Sequence, residues 1–399
     1  MLDISLWAII IGILLPTVVF SVQCWAALLP ERNPPEDSQQ TRPKVAVLVP
    51  AYNEASIIGA TLETLLPQLT DADRAIAIAD NCSDETATIA RTFGVTVLER
   101  QDLERKGKGY ALDYGLKFLE REPPEVVVVI DADCLVHPGT IDKLARSVAT
   151  LKRPIQATYL MKPPPNANPK ALVSALAFMV KNLACPMGLS RLGQPCLLGG
   201  TGMAFSWSAI RSVPIDIDHI VEDLQLGVDL AIASHSPLFC PQAKVTGTFP
   251  QDKEAVKNQK VRWVHGYLHI LLTQIPRLLK ESGIQRRFDL LSLALQLCIP
   301  PLSLLFTIWS IAIAGVLIMG MMGKISVLAI ILAALEGLLI VTSVAAVWAK
   351  FGRDDLPVKT LLAVPFYILG QIPIYLSFLV QPQKNWIRTR RDPIEKNSE

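Results

Sequence analysis

The sequence predicts an α/β protein with a mostly parallel, doubly wound sheet, flanked by membrane-embedded and interfacial helices. Three observations predict it. From Val45 onward, short apolar runs alternate with stretches of helical periodicity, the order expected of a parallel sheet with crossover helices. Val126–Ile130 is an unbroken run of β-branched residues, the pattern of a strand buried on both faces. Hydrophobic residues make up 51% of the 399, and the mean hydropathy is positive, high for a soluble protein, so part of the chain belongs in a membrane.

Leu6 to Leu29 is almost wholly apolar and uncharged, long enough to cross about 30 Å of hydrocarbon. It lacks the basic leader of a signal peptide and reads as a transmembrane helix, leaving through Pro30 into a polar linker that runs to about Lys44. Val45–Val49 is the first strand, and Glu54–Leu66 is a helix with Ile57, Ile58, Leu62, Leu65 and Leu66 at helical spacing, ended by Pro67. Arg74–Ala79 is the second strand, closed by the turn Asp80–Asp84 that caps the next helix. Val95–Leu98, a helix over Gly109–Leu119 and the strand Val126–Ile130 follow. Pro50, Asp80 and Asp131 thus stand at strand C-terminal ends, where open α/β sheets bind their ligands.

Beyond Asp133 the regularity loosens. Leu172, Leu176, Met179 and Leu183 mark an amphipathic helix, placed either on the domain or along a membrane surface, and Gly199–Gly202 is a flexible turn. Glu222 and Asp223 open a helix that runs through Ala231, and a further helix from about Lys253 carries Gln259, Arg262 and Trp263. Val264, Leu268, Leu271, Ile275 and Leu278 then give an interfacial helix with a basic flank and a kink at Pro276. Leu290–Met322 and Ile325–Trp348 are further membrane segments, the latter carrying Glu336, an ionisable group that calls for a partner or a water-filled cavity. The last, Leu361–Val380, is broken by Pro365, Gly370 and Pro373.

Arg277, Lys280, Arg286 and Arg287 place the large domain in the cytoplasm, and Lys350, Arg353 and Lys359 place the next loop there. The basic tail with Lys384, Arg388, Arg390 and Arg391 belongs on the same side, which favours a re-entrant or interfacial final segment over a crossing. The division is therefore 1–30, an N-terminal transmembrane helix; 31–288, a cytosolic domain with interfacial helices; and 289–399, membrane segments and a basic tail. A net charge of only +2 gives no ground for nucleic-acid binding, and seven cysteines without CxxC spacing argue against a zinc site and a disulfide framework. His265 and His269 share a helix face but have no third ligand in sight.

Asp131-Ala-Asp133 taken alone is equally a strand-ending turn or a pair of hard oxygen donors for a divalent cation carrying phosphates. Together with the acidic pair Glu222-Asp223 and with Arg262-Trp263, it suits group transfer from a nucleotide diphosphate. Arg262 supplies bidentate hydrogen bonds to the diphosphate, and Asp223 is the candidate base, with Glu222 a like-charge neighbour. Trp263 is either a core residue or a flat apolar face for a sugar ring.

Val49-Pro-Ala-Tyr-Asn-Glu54, Asp80, Gly107-Lys-Gly-Tyr-Ala-Leu112, Asp131-Ala-Asp133, Gly200-Thr-Gly-Met-Ala-Phe205, Glu222-Asp223 and Gln259-x-x-Arg262-Trp263 occur in that order. This set, spanning roughly Val45 to Lys280, resembles the membrane-bound family 2 inverting glycosyltransferases, which include the cellulose, chitin, hyaluronan and poly-N-acetylglucosamine synthases and the ceramide glucosyltransferases. The resemblance implies a GT-A fold and a UDP-sugar donor, with Asp80 and the turn Pro50, Tyr52, Glu54 holding the uridine and Lys108 a basic group near the donor. It implies further that Asp131 contacts the nucleotide, Asp133 holds Mg²⁺ or Mn²⁺, Glu222 lies at the substrate, Asp223 is the base, and Gln259, Arg262 and Trp263 gate the site. One in-line displacement would yield a β-glycoside on a lipid or glycan acceptor at the plasma (bacterial inner) membrane.

Two departures qualify the likeness. The chain carries fewer membrane segments than cellulose or hyaluronan synthases, which leaves open single transfer to a lipid, or polymer synthesis with partner subunits or as a homo-oligomer. Val221 stands where many synthases have Thr. A catalytically silent subunit of an envelope polysaccharide assembly complex is the alternative from another class.

Overall fold

The computed structural model describes residues 2–30, 41–164, 166–216 and 221–381; the linker over 31–40 and the basic tail beyond 381 lie outside the described residues. The chain divides into two compact units. One is drawn from Arg32–Pro164 and Pro195–Gly266, the other from Met1–Glu31, Pro165–Gln194 and Tyr267–Pro382, so each unit gathers separate stretches of chain.

The first unit is built on an eight-stranded sheet. Its strands are β1 (Val45–Ala51), β2 (Arg74–Asp80), β3 (Thr96–Arg100), β4 (Val126–Val129), β5 (Leu135–Val136), β6 (Ile155–Lys162), β7 (Met203–Ser206) and β8 (Leu238–Thr248), in the order β3-β2-β1-β4-β7-β6-β8-β5. The four strands read from the sequence form the parallel half. The half not read from it is mixed: β7 is antiparallel to both β4 and β6, and β5 is antiparallel to β8, while β6 and β8 are parallel.

Side chains alternate across this sheet and are covered on both faces. Val45, Val47, Val49, Val126, Val128 and Ile130 pack in one core with helices Ile58–Leu65 and Thr140–Leu151. Ala46, Leu48, Val127 and Val129 enter a second core with helices Lys108–Leu119 and Glu222–Ile232. Each fully buried Val or Ile contributes about 1.5–3 kcal/mol, so the central strands bring a large share of the unit's burial energy. Pro50 is tolerated in β1 because the pairing with β4 stops at Leu48 and Val129, two residues earlier, so its missing N–H costs no bond on that side.

The antiparallel run of β7 has a consequence for the loops. Met203 pairs with Val129, so the turn before β7 lies at the C-terminal end of β4, beside Asp131. Gly202 in that turn has φ +64, and a Cβ there would come within 2.8 Å of Ala157 Cβ, so glycine is required both for the backbone and for the space.

The second unit is helical. Four of its helices are long and apolar enough to cross a membrane: Ser5–Ala26, Pro169–Arg191, Leu302–Met321 and Val327–Gly352. Pro169–Arg191 contains the segment expected to be amphipathic; it continues as one apolar helix through a π-helical turn at Val180–Ala184. The stretch expected over Leu290–Met322 divides into Phe288–Leu297 and Leu302–Met321 around Pro300 and Pro301, which cannot continue a helix. The last apolar stretch is broken as expected, into Val364–Leu369 and Ile372–Val380 on either side of Gly370. Glu336 is fully buried, and neither carboxylate oxygen has a hydrogen-bond partner among the described residues.

Within this unit, Gly188 lets the first helix approach closely, because a Cβ there would fall 1.9 Å from the Gln23 carbonyl oxygen. Gly188→Val should therefore cost about 1–3 kcal/mol or more by overpacking. In detergent, its thermal transition should fall by several degrees, while Gly12→Ala, with nothing within 4 Å of its Cβ position, should leave it unchanged.

Candidate functional site

The site lies at the C-terminal ends of β1, β2 and β4, and it is built by the loops that leave them. The loops after β1 and β2 are knitted together by side-chain to backbone bonds. Asn53, in the left-handed region at φ 54, accepts from the Ser83 N–H at 2.6 Å, and the Glu54 N–H donates to Thr86 Oγ1 at 2.8 Å. Pro50, Tyr52 and Glu54 are half-buried along this edge.

Asp80 ends β2 and is 5% exposed. Its Oδ1 accepts from Arg100 at 2.6 Å and from the Asn81 side chain at 3.1 Å, and Arg100 also reaches Asp102 at 3.0 Å. Burial pushes the Asp80 carboxyl up, against the opposing pull of Arg100. Arg100 stands at the end of the third parallel strand and was not read from the sequence, although the rule that flagged Asp80 applies to it equally.

Lys108 opens helix Lys108–Leu119. Its ammonium donates both to Asp131 Oδ1 and to the Gly200 carbonyl. The Asp131 N–H donates to Thr201 Oγ1 at 3.0 Å. A Cβ on Gly200 would lie 3.3 Å from Asp223 Oδ2, which places the turn against the first residues of helix Glu222–Ile232. A cleft lined by Lys108, Met203, Ile215, Glu222 and Asp223 runs alongside.

The electrostatics follow from crowding like charges in a half-buried place. Burial pushes the Glu222 carboxyl up to about 7, reinforced by Asp223 and opposed by Lys108 and Arg262. Burial also raises Asp223, with Lys108 opposing and Asp131 reinforcing. Burial alone would lower the Lys108 ammonium, yet Asp131 and Glu222 outweigh it and its pKa ends above the ordinary value.

Asp131, Asp133 and Cys134 form a group whose ligand atoms all lie within 4.8 Å of one another and which could hold a metal ion. Two carboxylates suit a hard divalent cation, and the buried Cys134 thiol, 3.4 Å from Asp133 Oδ1, adds a softer donor. Burial keeps that thiol well above its ordinary pKa.

Gln259, Arg262 and Trp263 stand at i, i+3 and i+4 on one face of a single helix, Lys253–Gln285, where the sequence suggested a helix followed by a separate interfacial one. Gln259 is 1% exposed, and its Nε2 has no hydrogen-bond partner among the described residues. Arg262 lies near enough to Glu222 to favour its ionised form. The structure thus brings Lys108, Asp131, Glu222, Asp223 and Arg262 together and sets Asp80 at the neighbouring strand end. Gln156 and Thr201, which tie this region to the sheet, were missed, since neither belongs to a spacing with chemical meaning.

The Pyrobaculum calidifontis mannosyltransferase PcManGT, solved with GDP-Man and Mn²⁺, superposes with a TM-score of 0.57 over 96% of this chain and 99% of that one. At 18% identity the likeness is one of fold, which is GT-A. Among curated relatives, the probable glycosyltransferase YdaM of Bacillus subtilis (strain 168) is 26% identical over 65% of this chain and 64% of its own length. A poly-beta-1,6-N-acetyl-D-glucosamine synthase of Staphylococcus epidermidis is 25% identical over 57% of this chain and 55% of its own. The chain spans less than two thirds of the length of these relatives. The family profile described as "Glycosyltransferase like family 2" matches residues 43–266, more than half of the 399-residue chain. The chain belongs to glycosyltransferase family 2.

Proposed function

We propose that the protein transfers a sugar from a UDP-sugar, with inversion, to a membrane-associated lipid or glycan acceptor. The observation that carries this reading is the convergence of Lys108, Asp131, Glu222, Asp223 and Arg262 at the sheet's C-terminal edge. In the proposed reaction Asp223 takes the proton of the acceptor hydroxyl as its oxygen bonds to the anomeric carbon. The bond from that carbon to the diphosphate breaks on the opposite face, so an α-linked donor gives a β-glycoside. Arg262 neutralises charge on the departing diphosphate, and Gln259 and Trp263 close over donor and acceptor.

Asp131 and Asp133 would hold Mg²⁺ or Mn²⁺, with Cys134 beside them. When bound, the cation supplies charge neutralisation to the diphosphate. Asp131, Glu222 and Asp223 gather around Lys108, and Asp133 lies beside Asp131, a donor set short of positive charge and suited to a divalent ion. The apolar helices support a membrane location, and the basic residues Arg277, Lys280, Arg286 and Arg287 support a cytoplasmic catalytic unit. The synthase among the relatives supports exopolysaccharide synthesis as the setting.

The choice of uridine rests on Asp80. Arg100 and Asn81 both occupy its Oδ1. That leaves Oδ2 for a base, which suits the single N–H of uracil better than the two parallel N–H groups of guanine, whose matched partner is a carboxylate with both oxygens free.

Asp223→Asn should fold normally and lose turnover by on the order of 10²–10⁴-fold in a UDP-release assay; wild-type turnover in that variant would refute the base assignment. It would also separate this reading from a catalytically silent subunit, for which neither form releases UDP from any donor. The acid limb of kcat/KM should lie above the ordinary carboxylate range, because burial raises Asp223 and its neighbour Glu222. Activity therefore rises with pH as Asp223 loses its proton, and Glu222→Gln, which removes the adjacent carboxylate, should move the limb to lower pH. Titration calorimetry should show UDP bound more tightly than GDP, and Arg100→Met combined with Asn81→Ala should narrow that preference by about tenfold, because only the pair of changes removes both donors from Asp80 Oδ1.

A further inference from the structure

Gln156 belongs to none of the motifs that point to sugar transfer, yet its side chain occupies the centre of the turn that they share. It lies on β6, is 4% exposed, and uses both ends of its carboxamide. Oε1 accepts from the Gly199 N–H at 2.8 Å, while Nε2 donates to the Thr201 carbonyl at 2.9 Å and to the Ala157 carbonyl at 2.9 Å. The amide therefore spans the turn from Gly199 to Thr201 and leaves Gly200 between the two anchored residues.

What Gly200 and Thr201 then do depends on that span. The Gly200 carbonyl accepts from Lys108, and its Cα lies against Asp223. The Thr201 hydroxyl accepts the backbone N–H of Asp131. Gly200 has φ +89 and Gly202 φ +64, so the turn has no intrinsic preference for this shape over the others open to glycine. A buried side chain with three satisfied hydrogen bonds supplies the preference instead.

We propose that Gln156 is a positioning residue for sugar transfer: its carboxamide holds the turn 199–202 in the one shape that brings Asp131, Lys108 and Asp223 to a common point. The inference rests on the reading of Asp223 as the base. The span calls for a carboxamide, because it requires an acceptor toward Gly199 and a donor toward two carbonyls from one planar group. Gln156→Met keeps the length and flexibility of the side chain and removes both ends. Gln156→Glu keeps the acceptor for Gly199 and turns the donor into an acceptor facing two carbonyl oxygens.

Both variants, in the full-length membrane-extracted protein, should fall in kcat by on the order of a hundred-fold. The KM for the donor should change far less, because Asp80 and the Pro50–Glu54 turn also hold the nucleotide. Hydrogen exchange at the Gly199 amide in Gln156→Met should speed up by about tenfold or more, a change visible without any substrate. Thr201→Val, combined with Gln156→Met, should be clearly non-additive in kcat, since both act through one turn. A folded Gln156→Met with kcat within about twofold of wild type, or an additive double mutant, overturns the proposal. If Gln156→Met does not fold, Gln156→Glu decides it by the same turnover criterion. A wild-type protein that transfers no sugar from any UDP donor would remove the functional reading, whereas the exchange measurement would still decide whether Gln156 holds the turn.

Discussion

One ammonium group, that of Lys108, sits where burial would ordinarily deny a charge, and the surrounding carboxylates make its charge favourable. Asp131 and the Gly200 carbonyl take its hydrogen bonds, and Glu222 and Asp223 add attraction from a second helix. Remove it, and three acidic groups would face one another across a half-buried space, where like charges cannot all stay ionised. With it, Asp223 is less raised than burial and Asp131 would leave it. The chemistry proposed for the site depends on this balance, because a base must be ionised to act and basic enough to take a proton.

The sheet explains why these groups meet. Strands β1, β2 and β4 run parallel, so their loops leave from one edge; β7 runs the other way, so the turn before it returns to that same edge. The turn is glycine-rich and would wander, but Gln156 ties it to β6. Rigidity then passes inward, from loops with few intrinsic preferences to strands whose side chains are buried in two cores. A reactive centre on loops can be held to a fraction of an ångström only by such anchoring.

Much of this was legible in the linear pattern, and what escaped did so for identifiable reasons. The strands β1 to β4 announce themselves by unbroken aliphatic runs, since a strand covered on both faces has no polar side to interrupt it. Strand β6 carries mixed residues such as Gln156 and Thr158, whose polar groups are satisfied by neighbours distant in the sequence, and no local period marks it. The apolar helix Pro169–Arg191 was half visible, because its periodicity suggested an amphipathic face while its continuation through a π-helical turn depends on packing. Pro300 and Pro301 had an unambiguous local meaning and still fell inside a hydropathy run long enough to hide them.

By itself, the sequence determined the residue types available for chemistry, the succession of the parallel strands along the chain and the presence of apolar helices, because these follow from side-chain period and local backbone preference. Tertiary structure decided which of those residues share a space. Asp131 and Asp223 are far apart along the chain, and only the antiparallel entry of β7 brings the Gly200 turn against both. It also decided how Glu222 titrates, since burial and the adjacent Asp223 push it up to about 7 against the opposing pull of Lys108 and Arg262 from other helices. Desolvation and charge proximity are properties of three-dimensional packing, and no spacing along a chain encodes their size.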